Sequence, residues 1–123
     1  DFSIFGLVTK GDGLGREMSF PTANIEDLES VVIPYGVYAV LADLGGESFQ
    51  GVANLGVRPT VMGSNNSKPK LEVHLFDFDR MIYGETLEIY FVEYIREEKK
   101  FNSLADLKNQ INDDVIATKR MFS

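Results

Sequence analysis

The chain has 123 residues, 44% of them hydrophobic and 25% charged; that is one domain's length and an ordinary globular mix, which excludes disorder as the main state. It holds no cysteine, which excludes a disulfide framework, a thiolate metal site and a cysteine nucleophile, and fits a reducing compartment. With 12 Lys+Arg against 19 Asp+Glu the net charge is −7, which disfavours binding to nucleic acid, because phosphate neutralisation dominates that affinity.

Residues 2–9 are rich in β-formers and predict a first strand. Residues 10–16, Lys-Gly-Asp-Gly-Leu-Gly-Arg, place glycines at alternate positions, a loop whose backbone can approach a ligand closely. Residues 35–43 predict a second strand, Gly45-Gly46 a two-residue hairpin turn, and residues 48–55 the returning strand. Residues 61–69 read as a loop. Over residues 70–78 the chain alternates, with Leu71, Val73 and Leu75 on one face and Glu72, His74 and Phe76 on the other; residues 86–95 alternate again. Only the last 20 residues read as helical. Ser103 suits the N-cap, Leu104, Leu107, Ile111 and Val115 form a stripe at helical spacing, and Lys119 and Arg120 suit the negative end of the helix dipole. Five or six short strands and one terminal helix favour a mostly β, closed or nearly closed barrel that the helix plugs or flanks. No βαβ pattern is visible, which disfavours a doubly wound nucleotide fold.

No run approaches the roughly 20 apolar residues of a membrane span, and no secretory leader pattern is visible. A cytoplasmic location without a membrane partner is therefore expected. The chain opens at Asp1 rather than Met, so a partner domain upstream stays open.

Three places hold residues suited to chemistry. The loop from Gly11 to Arg16 offers backbone N–H groups and a guanidinium for phosphate, but its spacing matches neither the dinucleotide fingerprint nor a Walker loop; a mere turn is the plain alternative. In Pro21-Thr22-Ala23-Asn24, Thr22 and Asn24 share a face in extended chain, and their hydroxyl and amide oxygens suit Mg²⁺. The plain alternative there is a Pro-Thr turn closed by an Asx bond. Glu72 lies mid-strand on the face opposite Leu71 and Val73, so its carboxylate is either solvated or held in a cavity. His74 shares that face; as the only histidine it rules out a His-rich metal site and reads as structural.

Taken together, these pieces resemble riboflavin kinase, most closely the flavokinase module of bacterial bifunctional FAD synthetases. In order they are Gly6-x-Val8, the Gly13-x-Gly15-Arg16 loop, Phe20-Pro-Thr-Ala-Asn24, Pro34-x-Gly36-Val-Tyr38-Ala, and the stretch from Gly51 to Thr60. Then come Glu72-x-His74-Leu-Phe76-Asp-Phe78, Tyr83-Gly84 and Arg96-x-Glu98-x-x-Phe101, with the terminal helix closing the match. The resemblance covers essentially all of residues 1–123 as one riboflavin kinase domain. It implies a six-stranded, Greek-key-like antiparallel β-barrel with a C-terminal α-helix. It also implies transfer of the ATP γ-phosphate to the riboflavin 5′-hydroxyl, giving FMN and ADP, with Mg²⁺ or another divalent cation.

Residue by residue, the resemblance implies that Thr22 and Asn24 hold Mg²⁺ and the nucleotide phosphates. Gly11 and Arg16 would line the phosphate loop, and Leu75, Asp77 and Tyr83 would border the nucleotide. Glu72 would be the general base on the flavin hydroxyl. Arg96, Lys99 and Phe101 would contact the flavin. An FMN adenylyltransferase domain upstream in a longer chain is a further implication. One departure stands out: the family usually has Gly where Ser19 stands, just before Phe20-Pro21. Plainer roles compete at several positions. Phe101 could staple the helix start, Glu97 and Lys100 read as a solvated charge cluster, Asn54 and Arg58 could shape a turn, and Tyr83-Gly84 suits a turn into the next strand. The rival functions are a non-catalytic flavin- or nucleotide-binding barrel, an oligonucleotide-binding barrel and a generic interaction barrel. The acidic balance argues against the second, since residues 1–60 hold only Lys10, Arg16 and Arg58 as bases.

Overall fold

The computed structural model describes residues 2–9, 23–25, 33–58, 68–78 and 82–123. Among the described residues six strands precede one helix: β1 (Phe2–Thr9), β2 (Ala23–Ile25), β3 (Gly36–Leu44), β4 (Glu47–Arg58), β5 (Lys68–Leu75), β6 (Thr86–Arg96) and α1 (Leu104–Phe122). All pairings are antiparallel and the sheet closes on itself in the order β1-β2-β5-β4-β3-β6, with β6 returning to β1. Each described strand therefore has a neighbour on either side. The barrel and the terminal helix are those the sequence predicts. Strand β2 is the addition: its three residues are too short to carry an alternation, so the sequence marks them only as an extended functional motif. Strand β5 also ends at Leu75 rather than continuing to Phe78, because the chain turns at Phe76-Asp77, where Asp77 takes φ 53°.

The interior follows from period-two alternation. Val8, Ile25, Val40, Leu55, Leu71, Val73, Leu87 and Ile89 point inward and are almost wholly buried. Each such side chain contributes about 1.5–3 kcal/mol by leaving water. Gly45 and Gly46 take φ 56° and 94°, the double positive φ of a type I′ turn, and join β3 to β4 as the hairpin signal requires. Tyr38 closes the interior, with edge-on contacts to Phe91 and Tyr94 and its hydroxyl donating to the Pro34 carbonyl at 2.6 Å.

Helix α1 flanks the barrel rather than plugging it. Val115, with Ile111, packs on Val37, Val52 and Phe76, which are outward residues of β3 and β4 and of the turn after β5. Ser103 caps the helix by accepting from the Asp106 N–H at 3.1 Å, as its position suggests. The apolar stripe is shorter than the spacing predicts. Leu104 is 52% exposed, and the buried face consists of Asp114, Val115 and Thr118, because the helix meets the barrel only over its later turns.

Candidate active site

Strand register assembles a line of side chains that sequence distance conceals. Asn24 of β2 pairs with Glu72 of β5, and Glu72 pairs with Asn54 of β4. Asn54 in turn pairs with Val37 of β3, which pairs with Arg96 of β6. Directly paired residues share a face, and that face is the outer one, since Leu71 and Val73 fill the interior. Glu72 thus lies between two amide side chains on the outside of the barrel. Its carboxylate is neither freely solvated nor enclosed: the side chain is 26% exposed and Lys70 Nζ lies 3.3 Å from Oε1.

The end of β5, the end of β1 and the start of β6 lie together. Phe76 N–H donates to the Gln50 carbonyl, while Val8 and the 82–85 turn exchange hydrogen bonds through Val8 N–H to Glu85 and Gly84 N–H to Val8. Leu75, Asp77 and Tyr83 are at this end. Arg96 belongs to the line itself through its pairing with Val37, and Lys99 and Phe101 follow it where the chain leaves β6.

Several side chains have definite partners. Arg96 makes a two-pronged ion pair with Asp114 of α1 (Nε to Oδ1 2.9 Å, Nη2 to Oδ2 2.8 Å) and donates through Nη1 to the Glu97 carbonyl. Gln110 donates to the same carboxylate at 3.1 Å. The Arg96 guanidinium lies 6.0 Å from the half-buried Phe101 ring. Leu75 is buried in the barrel, so only its backbone is available to a nucleotide. His74 sets its ring against Phe76 at 5.8 Å, a packing position that agrees with a structural role. Gly11, Arg16 and Thr22, with Ser19 and the rest of the 10–20 loop, lie outside the described residues.

Asn24 permits a test of cation binding. It is 5% exposed, and its Oδ1 has no hydrogen-bond partner among the described residues. A buried amide oxygen left without a donor costs about 1–3 kcal/mol, so it calls for a partner. A hard oxygen directly paired with a carboxylate position fits Mg²⁺ or a similar ion. No group of three or more His, Cys, Asp or Glu side chains suited to a metal exists among the described residues.

Sequence reasoning underrated Asn54. It belongs to no turn, being mid-strand in β4 and directly across from Glu72. The outward alternation Val52-x-Asn54-x-Gly56 was the signal. Lys70 reaches Glu72 as its neighbour two residues back on the same strand face, whereas Asp114 carries no local signal, because its contact with Arg96 comes from helix docking.

The family model for riboflavin kinase, flavokinase, matches residues 1–122. The chain belongs to the riboflavin kinase family. A bifunctional riboflavin kinase/FMN adenylyltransferase from Haemophilus influenzae is 50% identical over 123 residues, covering 99% of this chain and 39% of its own length. Among solved structures, one described as a macrolide-efflux protein from Streptococcus pneumoniae aligns with TM-score 0.84 and 32% identity, covering 95% of this chain and 38% of that one. Riboflavin kinase from Trypanosoma brucei aligns with TM-score 0.61 and 26% identity, over 97% and 78%. The chain spans 39% of the length of such bifunctional relatives, so what it shares with them is a riboflavin kinase module.

Proposed function

We propose that this domain transfers the γ-phosphoryl group of ATP to the 5′-hydroxyl of riboflavin, releasing FMN and ADP. The observation that carries this reading is the direct pairing of Glu72 with Asn54 on one side and, on the other, with Asn24, whose buried oxygen has no partner among the described residues. Phosphoryl transfer asks a protein for positioning and charge stabilisation more than for covalent chemistry. Glu72 accepts the hydroxyl proton as the 5′-oxygen forms its bond to the γ-phosphorus, and the bond to the β-phosphate oxygen breaks with ADP as leaving group. Lys70 holds the Glu72 carboxylate on the sheet face, where Asn54 is its register partner. The backbone at Leu75, with Asp77 and Tyr83, borders the nucleotide; Lys99, Phe101 and Arg96 form the flavin side. Asn24 and Thr22 would hold a divalent cation, which would supply neutralisation of the phosphate charge. Gly11 and Arg16 line the phosphate loop. We place the domain in the cytoplasm, in a whole protein that also carries an adenylyltransferase domain.

Incubation with riboflavin and Mg²⁺-ATP, followed by chromatographic separation of flavins, tests the reading. FMN formation that needs both ATP and the cation is expected. Riboflavin binding with no FMN would replace it with a non-catalytic flavin-binding barrel.

A further inference from the structure

The end of β6 and the residue two beyond it lie against two bare backbone positions. At the first, Gly36, a Cβ would come within 2.6 Å of the Arg96 carbonyl oxygen and of the Tyr94 ring. At the second, Gly56, a Cβ would overlap the Glu98 carboxylate. Gly56 has no positive φ that would demand glycine, and it is buried. Its bareness therefore serves the carboxylate that lies on it. Gly56 pairs with Lys70, one outward position along β5 from Glu72, roughly 7 Å at strand spacing. Two residues after leaving the Val37 pairing, the chain has thus set a side chain on β4, beside the Asn24–Glu72–Asn54 line.

We propose that Glu98 is a positioning residue for the flavin side of the site. Its carboxylate, seated on Gly56, holds the 97–101 segment in register with Glu72, so that Lys99 and Phe101 meet the flavin at the correct distance from the base. This rests on the riboflavin kinase reading above and assigns no bond from Glu98 to substrate. Two features support it. Partial desolvation pushes the Glu98 carboxyl above its ordinary range while the neighbouring Arg96 charge pulls it back, so the group is held against the barrel although the residue is otherwise exposed. Without that contact, the chain from Glu97 to Asn102 is tied down mainly at its ends, by the Arg96–Asp114 pair and the Ser103 cap. A segment fixed only at its ends loses more entropy when substrate orders it, and the loss appears in substrate affinity.

The test compares the wild-type chain with Glu98→Ala, Glu98→Gln and Gly56→Ala, measuring steady-state kinetics for both substrates and riboflavin binding by fluorescence quenching without ATP. Glu98→Ala should raise the riboflavin KM and the dissociation constant about tenfold, the scale of a displaced binding segment, and leave the KM for Mg²⁺-ATP within about twofold. Glu98→Gln keeps the shape of the contact and should recover most of that loss. Gly56→Ala should reproduce Glu98→Ala, and the double variant should be no worse than either single one. Unchanged riboflavin affinity in Glu98→Ala, or equal losses for both substrates, overturns the proposal; Glu98→Ala decides the matter even where Gly56→Ala does not fold. A wild-type chain that forms no FMN defeats the functional reading instead, and the quenching measurement still tests the positioning role.

Discussion

Arg96 and Asp114 lock the end of β6 to the flanking helix through two charge-assisted hydrogen bonds, with side chains 15% and 5% exposed. The pair is one of the few polar links between α1 and the barrel among the described residues, and Gln110 completes the carboxylate's partners. Removing one half leaves the other charge poorly solvated, which costs more than the intact pair contributes. Asp114→Ala should therefore destabilise the fold by about 3 kcal/mol, read as a lowered urea midpoint at unchanged slope. Arg96→Lys should also lose stability, because an ammonium cannot make the forked contact. A midpoint shift near zero in Asp114→Ala would mean that the bridge only decorates a helix held by Val115 and Ile111.

The same pair shows what the sequence could and could not reveal. Alternation over Leu71–Leu75 predicts which side chains fill the barrel, because a strand with one buried face leaves a direct record in hydrophobic spacing. Ser103 is equally readable, since an N-cap is a local arrangement. Asn54 and Asp114 are not, because each acquires its role from a residue distant along the chain, and no local pattern encodes register; Lys70 pairs with Glu72 only two residues on, along the same strand. Asn24 and Glu72 enter through a resemblance of motifs; their direct pairing across β2 and β5 supplies the geometric reason for both to be present.

Gly36 offers a sharp backbone test. With φ at 154° and the Arg96 carbonyl oxygen 2.6 Å from where a Cβ would sit, there is no room for a methyl group. Gly36→Ala should cost about 1–3 kcal/mol from strain alone, with further loss if β6 shifts. Gly45, in the β3–β4 turn, has φ 56° but open space around it. Gly45→Asn should be nearly neutral, as Asn tolerates the left-handed region. Thermal unfolding of the two variants side by side checks the contrast, and similar losses in both would remove the steric account of Gly36.

Stability and activity should part at Asn24. Its buried oxygen lacks a partner among the described residues, so deleting that oxygen breaks no hydrogen bond to any of them. Asn24→Ala should leave the melting temperature within a few degrees of wild type. The Mg²⁺ concentration for half-maximal activity should meanwhile rise at least about tenfold, as expected on losing one hard ligand. A large stability loss with unchanged Mg²⁺ dependence would make Asn24 a structural residue.

The Glu98 carboxyl is raised above its ordinary value of 4.5, chiefly by desolvation, so the folded state binds its proton more tightly than the unfolded chain does. The sign follows: this contribution favours the fold fully below the ordinary value and is lost as pH rises through the elevated folded value. Glu98→Gln should therefore gain stability relative to wild type on going from mildly acidic to neutral pH, and lose that advantage in acid. Melting curves across that range check it. A pH-independent difference would show that Glu98 is held by packing alone.

Glu72→Gln gives the most direct test of the base. Gln occupies the same volume at the centre of the Asn24–Glu72–Asn54 line, so the barrel and both substrate sites should survive. The lost proton acceptor should lower kcat by roughly 10²–10⁴-fold, the usual worth of general base catalysis, with KM for riboflavin and Mg²⁺-ATP little changed. Lys70 lies 3.3 Å from the Glu72 carboxylate and loses this ionic contact in the variant. A separate Lys70→Met variant distinguishes the two effects. If Lys70→Met retains most of the turnover while Glu72→Gln does not, the loss belongs to the carboxylate as proton acceptor. If both fall equally, the ion pair rather than the base is what the reaction requires.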